Sequence, residues 1–237
     1  GAFELCENLE NKLSRTKEQS EIFKLNHSTG FIEVDEEALK VIERSLYFSK
    51  LSNGKFDISI LPVSSLWDFN NQIIPEKKEI AEALKNVDYE AIEINENKIN
   101  LNGKKIDLGG IAKGYIADCL KNHLIENGAC DGIINLGGNV IVFGKEQKIG
   151  IQKPFSDGIS ATICVKNKSI VTSGIYQRYI EKGGKIYHHI IDPETGYGIE
   201  NELASVTIIG NSSMDGDALS TVCMLVGTEK AEEIIEN

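Results

Sequence analysis

The sequence predicts an α+β fold in which helices flank mixed or largely antiparallel sheets. Three observations carry that expectation. Apolar residues at helical spacing dominate the first half, short β-type runs crowd the stretch from Gly132 to Ile209, and the two do not alternate regularly as they do in a parallel α/β sheet. The 237 residues are 41% hydrophobic and 26% charged. That is enough chain for one sizeable core. No linker, internal repeat or low-complexity run divides it, so residues 1–237 are read as one domain.

Phe3 to Ile22 places Leu5, Leu9 and Leu13 on one face among many charges, the pattern of an amphipathic helix. Asp35 is a candidate N-cap for a second helix, Glu36 to Ser49, with Leu39, Ile42 and Leu46 facing inward. Pro75 opens a third, through Asn86. Ala91 to Leu101 alternates around Asn95-Glu96-Asn97 and reads as a hairpin. A helix from Tyr115 to Glu126 follows a glycine-rich turn. Strands are expected at Gly132–Leu136, Val140–Phe143, Lys148–Gln152, Ile159–Val165, Ser169–Thr172, Ile186–Ile191 and Leu203–Ile209. Ser212 or Ser213 caps a helix through Leu225, and Thr228 begins another through Ile235.

The formal net charge is −11, with no basic patch, which argues against a nucleic-acid partner. Five cysteines lie far apart without a C-x-x-C spacing, so a thiolate zinc site is not expected. No apolar run reaches the roughly 18 residues of a membrane span, and no secretory signal is present. The chain opens Gly-Ala-Phe without an initiator Met and stops inside a predicted helix. Both ends therefore read as trimmed.

The stretch Lys105-Ile106-Asp107-Leu108-Gly109-Gly110-Ile111-Ala112-Lys113-Gly114-Tyr115 concentrates the chemical interest. Glycines at a strand-to-helix junction let backbone amides approach a ligand, and the helix start offers unpaired N–H groups to phosphate. Asp217 and Thr221 are four apart at a helix start and share a face; their oxygens suit a hard cation such as Mg2+. On spacing alone, the plainer reading is that Asp217 complements the helix dipole while Thr221 packs inside. His189 and His188 are neighbours in a β segment and point to opposite faces, so joint ligation of a metal is not expected. Arg178 is either an ion-pair partner or a phosphate contact. Trp67 and Phe69 are either core aromatics or stacking platforms. Gly138 to Lys145 imitates a P-loop but is one residue too long and lacks Ser or Thr after the lysine.

Five ordered blocks then coincide. Phe56-Asp57-Ile58-Ser59 through Leu66-Trp67-Asp68-Phe69, the Asp107–Tyr115 block, Thr172-Ser173-Gly174-Ile175-Tyr176-Gln177-Arg178-Tyr179, His189-Ile190-Ile191-Asp192-Pro193-Glu194-Thr195-Gly196, and Asp215-Gly216-Asp217-Ala218-Leu219-Ser220-Thr221 run in that order. Together the set resembles the ApbE family of FAD:protein FMN transferases, whose patterns read FDPTxxPLxxLWGF, DLGGIAKGY, TSGxYxRY, HIIDPxTG and an ADALAT-like helix start. The resemblance spans almost the whole chain, although a Met-Gly-Thr-like strand usual before the first helix is not found. It implies an ApbE-like fold and transfer of FMN from FAD to a Ser or Thr hydroxyl of an acceptor flavoprotein, with release of AMP. It also implies Mg2+ held by Asp217, Thr221 and the Gly110 carbonyl, with Asp215 behind them. By motif position it places Asp107, Gly109, Gly110, Lys113, Ile191 and Trp67 in the FAD pocket, between the Gly turn and the His189–Gly196 segment. Some relatives carry Glu at the Lys113 position, and many a polar residue at Ile175. His189 and Asp217 are alternative catalytic bases, and Asp192 ties its turn. An FAD pyrophosphatase using the same ligands and a non-enzymatic FAD-binding protein remain the other readings. The resemblance further implies action outside the cytoplasm, with a membrane tether on the full-length protein and an acceptor belonging to a membrane redox complex.

Overall fold

The computed structural model describes residues 1–236, so that Asn237 lies outside it. Its elements are α1 (Ala2–Leu13), α2 (Glu21–Asn26), β1 (Ile32–Glu33), α3 (Glu36–Leu51), α4 (Leu61–Ser64), α5 (Lys77–Leu84), β2 (Glu93–Asn95), β3 (Lys98–Asn100) and α6 (Ala112–Glu126). The β-rich half follows with β4 (Gly132–Leu136), β5 (Asn139–Phe143), β6 (Gln147–Gln152), β7 (Ile159–Val165), β8 (Lys168–Gly174), β9 (Tyr179–Lys182), β10 (Lys185–His188) and β11 (Ser205–Gly210). Helices α7 (Ser213–Val226) and α8 (Thr228–Glu236) close the chain. The expected α+β architecture is the one observed, and every strand pair is antiparallel.

The single helix expected over Phe3–Ile22 is two. Ser14 ends α1 in an extended conformation and its Oγ accepts from the amides of Thr16 and Lys17. Ser20 Oγ then caps α2 by accepting from Phe23 N. Hydroxyls that bond to local amides compete with the helical ladder, and here they win. Asp35 does cap α3, accepting from Ala38 N at 2.8 Å. The expected Ile186–Ile191 strand stops at His188 and gains an unexpected partner, β9, across a Gly183-Gly184 turn with both glycines at positive φ.

The site is positioned by a four-stranded sheet in the order β11-β8-β5-β4. Helix α6 lies over β4 and β5, α7 over β8 and β11, and the two helices pack on each other. Central strand β8 is covered on both sides. Val171 faces α7 at Gly216, while Ile170 joins Val142 and Val165 under the β6–β7 hairpin. The main core joins α1, α3, α6 and α7 with β4 and β5. A smaller cluster holds Val63, Trp67, Ile80 and Ile191.

Candidate functional site

The Gly turn is anchored before it starts. Buried Asn26 exchanges two hydrogen bonds with the backbone of Ile106, at 2.7 and 2.9 Å, and Asp107 N donates to Ile58 O at 2.8 Å. Asp107 Oδ1 accepts from Gly109 N at 2.9 Å, and its Oδ2 lies 3.1 Å from Arg15 Nε. This carboxylate therefore shapes the turn. Leu108 O closes the turn by accepting from the amides of Ile111 and Ala112. A Cβ on Gly110 would sit 3.0 Å from the Phe56 ring and 3.8 Å from Thr221 Oγ1, so Gly110 places its backbone against both.

Two carboxylates cross between α6 and α7. Asp118, on α6, accepts at Oδ2 from Ser213 N and Met214 N, at 2.8 and 3.0 Å, and from Ser212 Oγ. It caps the α7 N-terminus beside the local cap, Ser212. In return Asp217, on α7 and 3% exposed, accepts at Oδ2 from Gly114 N at 3.0 Å. Each helix start thus faces a carboxylate from the other, which suits the dipole. The helices come close enough for this only because Gly114 lacks a side chain. A Cβ there would lie 2.1 Å from Ser213 O.

Gly114 is the third residue of α6, so its amide has no acceptor within the helix, and Asp217 satisfies it. Among the described residues the Gly110 carbonyl, just before the Ile111 cap, accepts no hydrogen bond. A free carbonyl, the buried Asp217 carboxylate and the Thr221 hydroxyl thus stand on neighbouring stretches of the Gly turn and α7. Thr221 Oγ1 donates to Asp217 O and lies 3.2 Å from Ser173 Oγ, which is also 2.8 Å from Ser220 Oγ. These are all hard oxygen donors with one carboxylate, a set that fits Mg2+, which keeps waters and substrate phosphates among its ligands. Lys113 Nζ lies 3.3 Å from Asp217 Oδ1 and 3.3 Å from Gly109 O.

His188 and His189 face opposite ways, as their spacing predicts. His188 is buried and donates from Nε2 to Ile199 O at 2.9 Å; it is structural. His189 donates from Nδ1 to Arg178 O at 3.2 Å, because a carbonyl only accepts. Its Nε2 therefore carries the lone pair. Burial holds the imidazole down at about 4, and the charges of Arg178, His188 and Lys113 push the same way, against the Arg178 carbonyl bond. The ring is neutral at pH 7. The same influence of Lys113 links His189 to the Gly turn. Arg178 makes no ion pair among the described residues.

Three expected residues stand elsewhere. Trp67 is 6% exposed, donates from Nε1 to Gly196 O at 3.1 Å, and is packed by Phe69, Tyr187 and Tyr197. It belongs to the core, and Phe69 stands between it and the His189 ring. Ile191 is buried beside Trp67. Asp215 points away from Asp217 to pair with Arg44 on α3 at 2.7 Å. Asp192 ties its turn as expected, accepting at its carbonyl from Thr195 N and Gly196 N while Lys55 holds its carboxylate. A cavity of about 540 Å³ lies behind that turn, lined by Lys55, Asp192, Glu194, Glu200, Leu225 and Ile234; of the expected His189–Gly196 segment it touches only Asp192 and Glu194, and none of the residues expected to hold FAD or the metal borders it. Asn26, Asp118 and Ser173 received no role from sequence. Their partners are 80, 95 and 48 residues distant, and only the fold reveals the pairing.

Comparison with known proteins agrees with this fold. A model of the ApbE family matches residues 1–237. A FAD:protein FMN transferase of Klebsiella pneumoniae (strain 342) is 34% identical over 238 residues, covering 96% of this chain and 75% of its own. One from Treponema pallidum (strain Nichols) is 31% identical over 257 residues, covering 97% and 71%. The crystal structure of the ApbE protein from Thermotoga maritima superposes with a TM-score of 0.91 at 32% identity, covering 99% of this chain and 80% of that one. The flavin transferase ApbE from Vibrio cholerae gives 0.88 at 27% identity, with the same coverage.

Proposed function

The chain belongs to the ApbE family, and from that premise we propose that it is a FAD:protein FMN transferase. It moves FMN from FAD to a Ser or Thr hydroxyl of an acceptor flavoprotein and releases AMP. The observation that supports the chemistry is a set of hard oxygens at one place: the Gly110 carbonyl, which accepts no hydrogen bond among the described residues, Asp217, which is tied to the same turn through Gly114 N, and Thr221. These three groups would hold Mg2+. When bound, the cation supplies charge neutralisation at the pyrophosphate.

The residues of the chain divide the remaining work. His189 is neutral, its Nδ1–H is fixed on Arg178 O, and its Nε2 is available to accept the acceptor hydroxyl's proton. The hydroxyl oxygen then bonds to the phosphorus on the riboflavin side as that phosphorus releases AMP with the bridging oxygen. Asp217 is the poorer base because both of its oxygens are already held, one by Gly114 N–H and one by Lys113. Lys113 and unpaired Arg178 bring positive charge to the side of His189, where phosphates add and shed charge. Most of the catalysis is positioning, as expected for displacement at phosphorus.

The acceptor's place in a membrane redox complex, and the export and tethering of the full-length protein, belong to the same proposal and rest on the family alone. No helix among the described residues is long and apolar enough to cross a membrane. The test is incubation with FAD and Mg2+, with and without an acceptor carrying a Ser or Thr flavinylation site. Covalent FMN on the acceptor is the expected result. Free FMN and AMP regardless of acceptor identify a pyrophosphatase, and unchanged FAD identifies a binding protein; either overturns the proposal.

A further inference from the structure

The carboxylate of Asp217 is buried, yet among the described residues Oδ1 has one partner only, and that partner is a lysine half in water: side-chain exposures are 4% for Asp217 and 48% for Lys113. A buried carboxylate with a single amide donor is strongly disfavoured, so the ammonium matters to the fold. Its geometry is loose, however. Lys113 Nζ stands 3.3 Å from Asp217 Oδ1 and shares itself with Gly109 O at 3.3 Å. Closed ion pairs elsewhere in the molecule, Lys12–Asp35 and Arg44–Asp215, are at 2.7 Å. The flexible four-carbon stem and compact charge of lysine suit a contact that is made and released, where the rigid fork of arginine does not.

A divalent cation on Asp217 needs the same oxygen. We propose that Lys113 is the resident counter-cation of Asp217: it neutralises the carboxylate while no metal is bound, keeps α6 and α7 docked, and yields Oδ1 to the incoming divalent cation. The displaced ammonium is then free for the phosphates of the substrate. This rests on the reading of Asp217 as a cation ligand. It explains why a lysine, a nominal repellent of Mg2+, stands beside that ligand on the exposed first turn of α6.

The test uses Mn2+ alone as the probe, without FAD, followed by electron paramagnetic resonance on the whole chain. Lys113→Met removes the competitor, so Mn2+ should bind about tenfold more tightly than to the wild type, equivalent to about 1.4 kcal/mol. In EDTA the same variant should melt a few degrees lower, and Mn2+ should restore it. Lys113→Gln should repeat both effects, and Lys113→Arg should show no gain in affinity. Adding Asp217→Asn to Lys113→Met should abolish the tighter binding. Mn2+ binding to Lys113→Met and Lys113→Gln no tighter than wild type, or wild-type melting of both in EDTA, overturns the proposal. FMN transfer by the wild-type protein is scored separately, so failure here is distinguishable from failure of the transferase reading.

Discussion

Gly114→Ala is the sharpest test of the way the site is built. The new Cβ would stand 2.1 Å from Ser213 O, 2.6 Å from Ser213 C and 2.7 Å from Met214 Cα. Ordinary contact begins at 3.4 Å, so the helices must part by 3.4 − 2.1 = 1.3 Å along that line. All three atoms are backbone, and no rotamer relieves the clash. A shift of that size breaks the 3.0 Å bond from Gly114 N to Asp217 and strains the Asp118 cap on Ser213 and Met214. Overpacking costs about 1–3 kcal/mol. The lost bond to a buried carboxylate adds roughly 1.5–3 kcal/mol. The better helix propensity of alanine returns at most about 1 kcal/mol. The net loss is about 2–5 kcal/mol, which lowers the melting temperature by roughly 5–20 °C.

Chemical denaturation reads this as a reduced midpoint at unchanged slope. Gly109→Ala is the control. Its Cβ would meet Asp107 Oδ1 at 3.1 Å, a side-chain atom that can turn aside. It should cost under about 1 kcal/mol, the ordinary range for an exposed substitution. If Gly114→Ala unfolds within 1 kcal/mol of wild type, the close approach of α6 and α7 is wrong, and with it the bond that ties Asp217 to the Gly turn.

Three further outcomes follow from the site. His189→Ala should keep FAD and Mg2+ binding but lose transfer by roughly 10²–10⁴-fold, whereas His188→Ala should lower stability, by leaving Ile199 O without its donor, and spare the rate; a larger rate loss from His188→Ala refutes the assignment. The folded pKa of His189, about 4, lies below its ordinary 6.5. The folded state therefore binds fewer protons, and His189 contributes stability above about pH 6.5 that is lost as pH falls toward 4, by at most about 3 kcal/mol. The acid limb of kcat/KM should likewise fall near 4, and a limb at 6.5 in the pH–rate profile contradicts a buried neutral base. Asp217→Asn should weaken Mg2+ binding in calorimetry with FAD present far more than Thr221→Ala, and EDTA should abolish transfer; full transfer in EDTA removes the metal from the reaction.

Much of the fold was legible because its signals are local. Asp35 caps its helix, the Asn95-Glu96-Asn97 turn forms its hairpin with Ile94 opposite Ile99, and the strands from Gly132 to Val165 fall where alternation put them. The misses have local causes of another kind. Ser14 and Ser20 outbid a helical pattern that continued through them, and β9 was too short and too charged to stand out without its partner β10.

The site was legible as a list of residues and illegible as a mechanism, because each chemical property depends on a distant neighbour. Asp217 is recognisable at its motif position, but its amide partner, Gly114, is 103 residues away, in a different helix. The basicity of His189 is set by the carbonyl of Arg178 and by burial, neither of which its own sequence neighbourhood reveals. Trp67 shows the reverse: a motif residue, expected at the ligand, whose buried ring instead holds Gly196 and backs Phe69. Motif membership therefore does not separate residues that touch substrate from those that aim them. Nor does an unpaired atom alone separate them, since structural His188 also leaves its Nδ1 without a partner. Position must be added: under the proposed mechanism the Gly110 carbonyl, His189 Nε2 and the Arg178 guanidinium would face the reaction, and Lys113, held at 3.3 Å between Asp217 and Gly109, would join them.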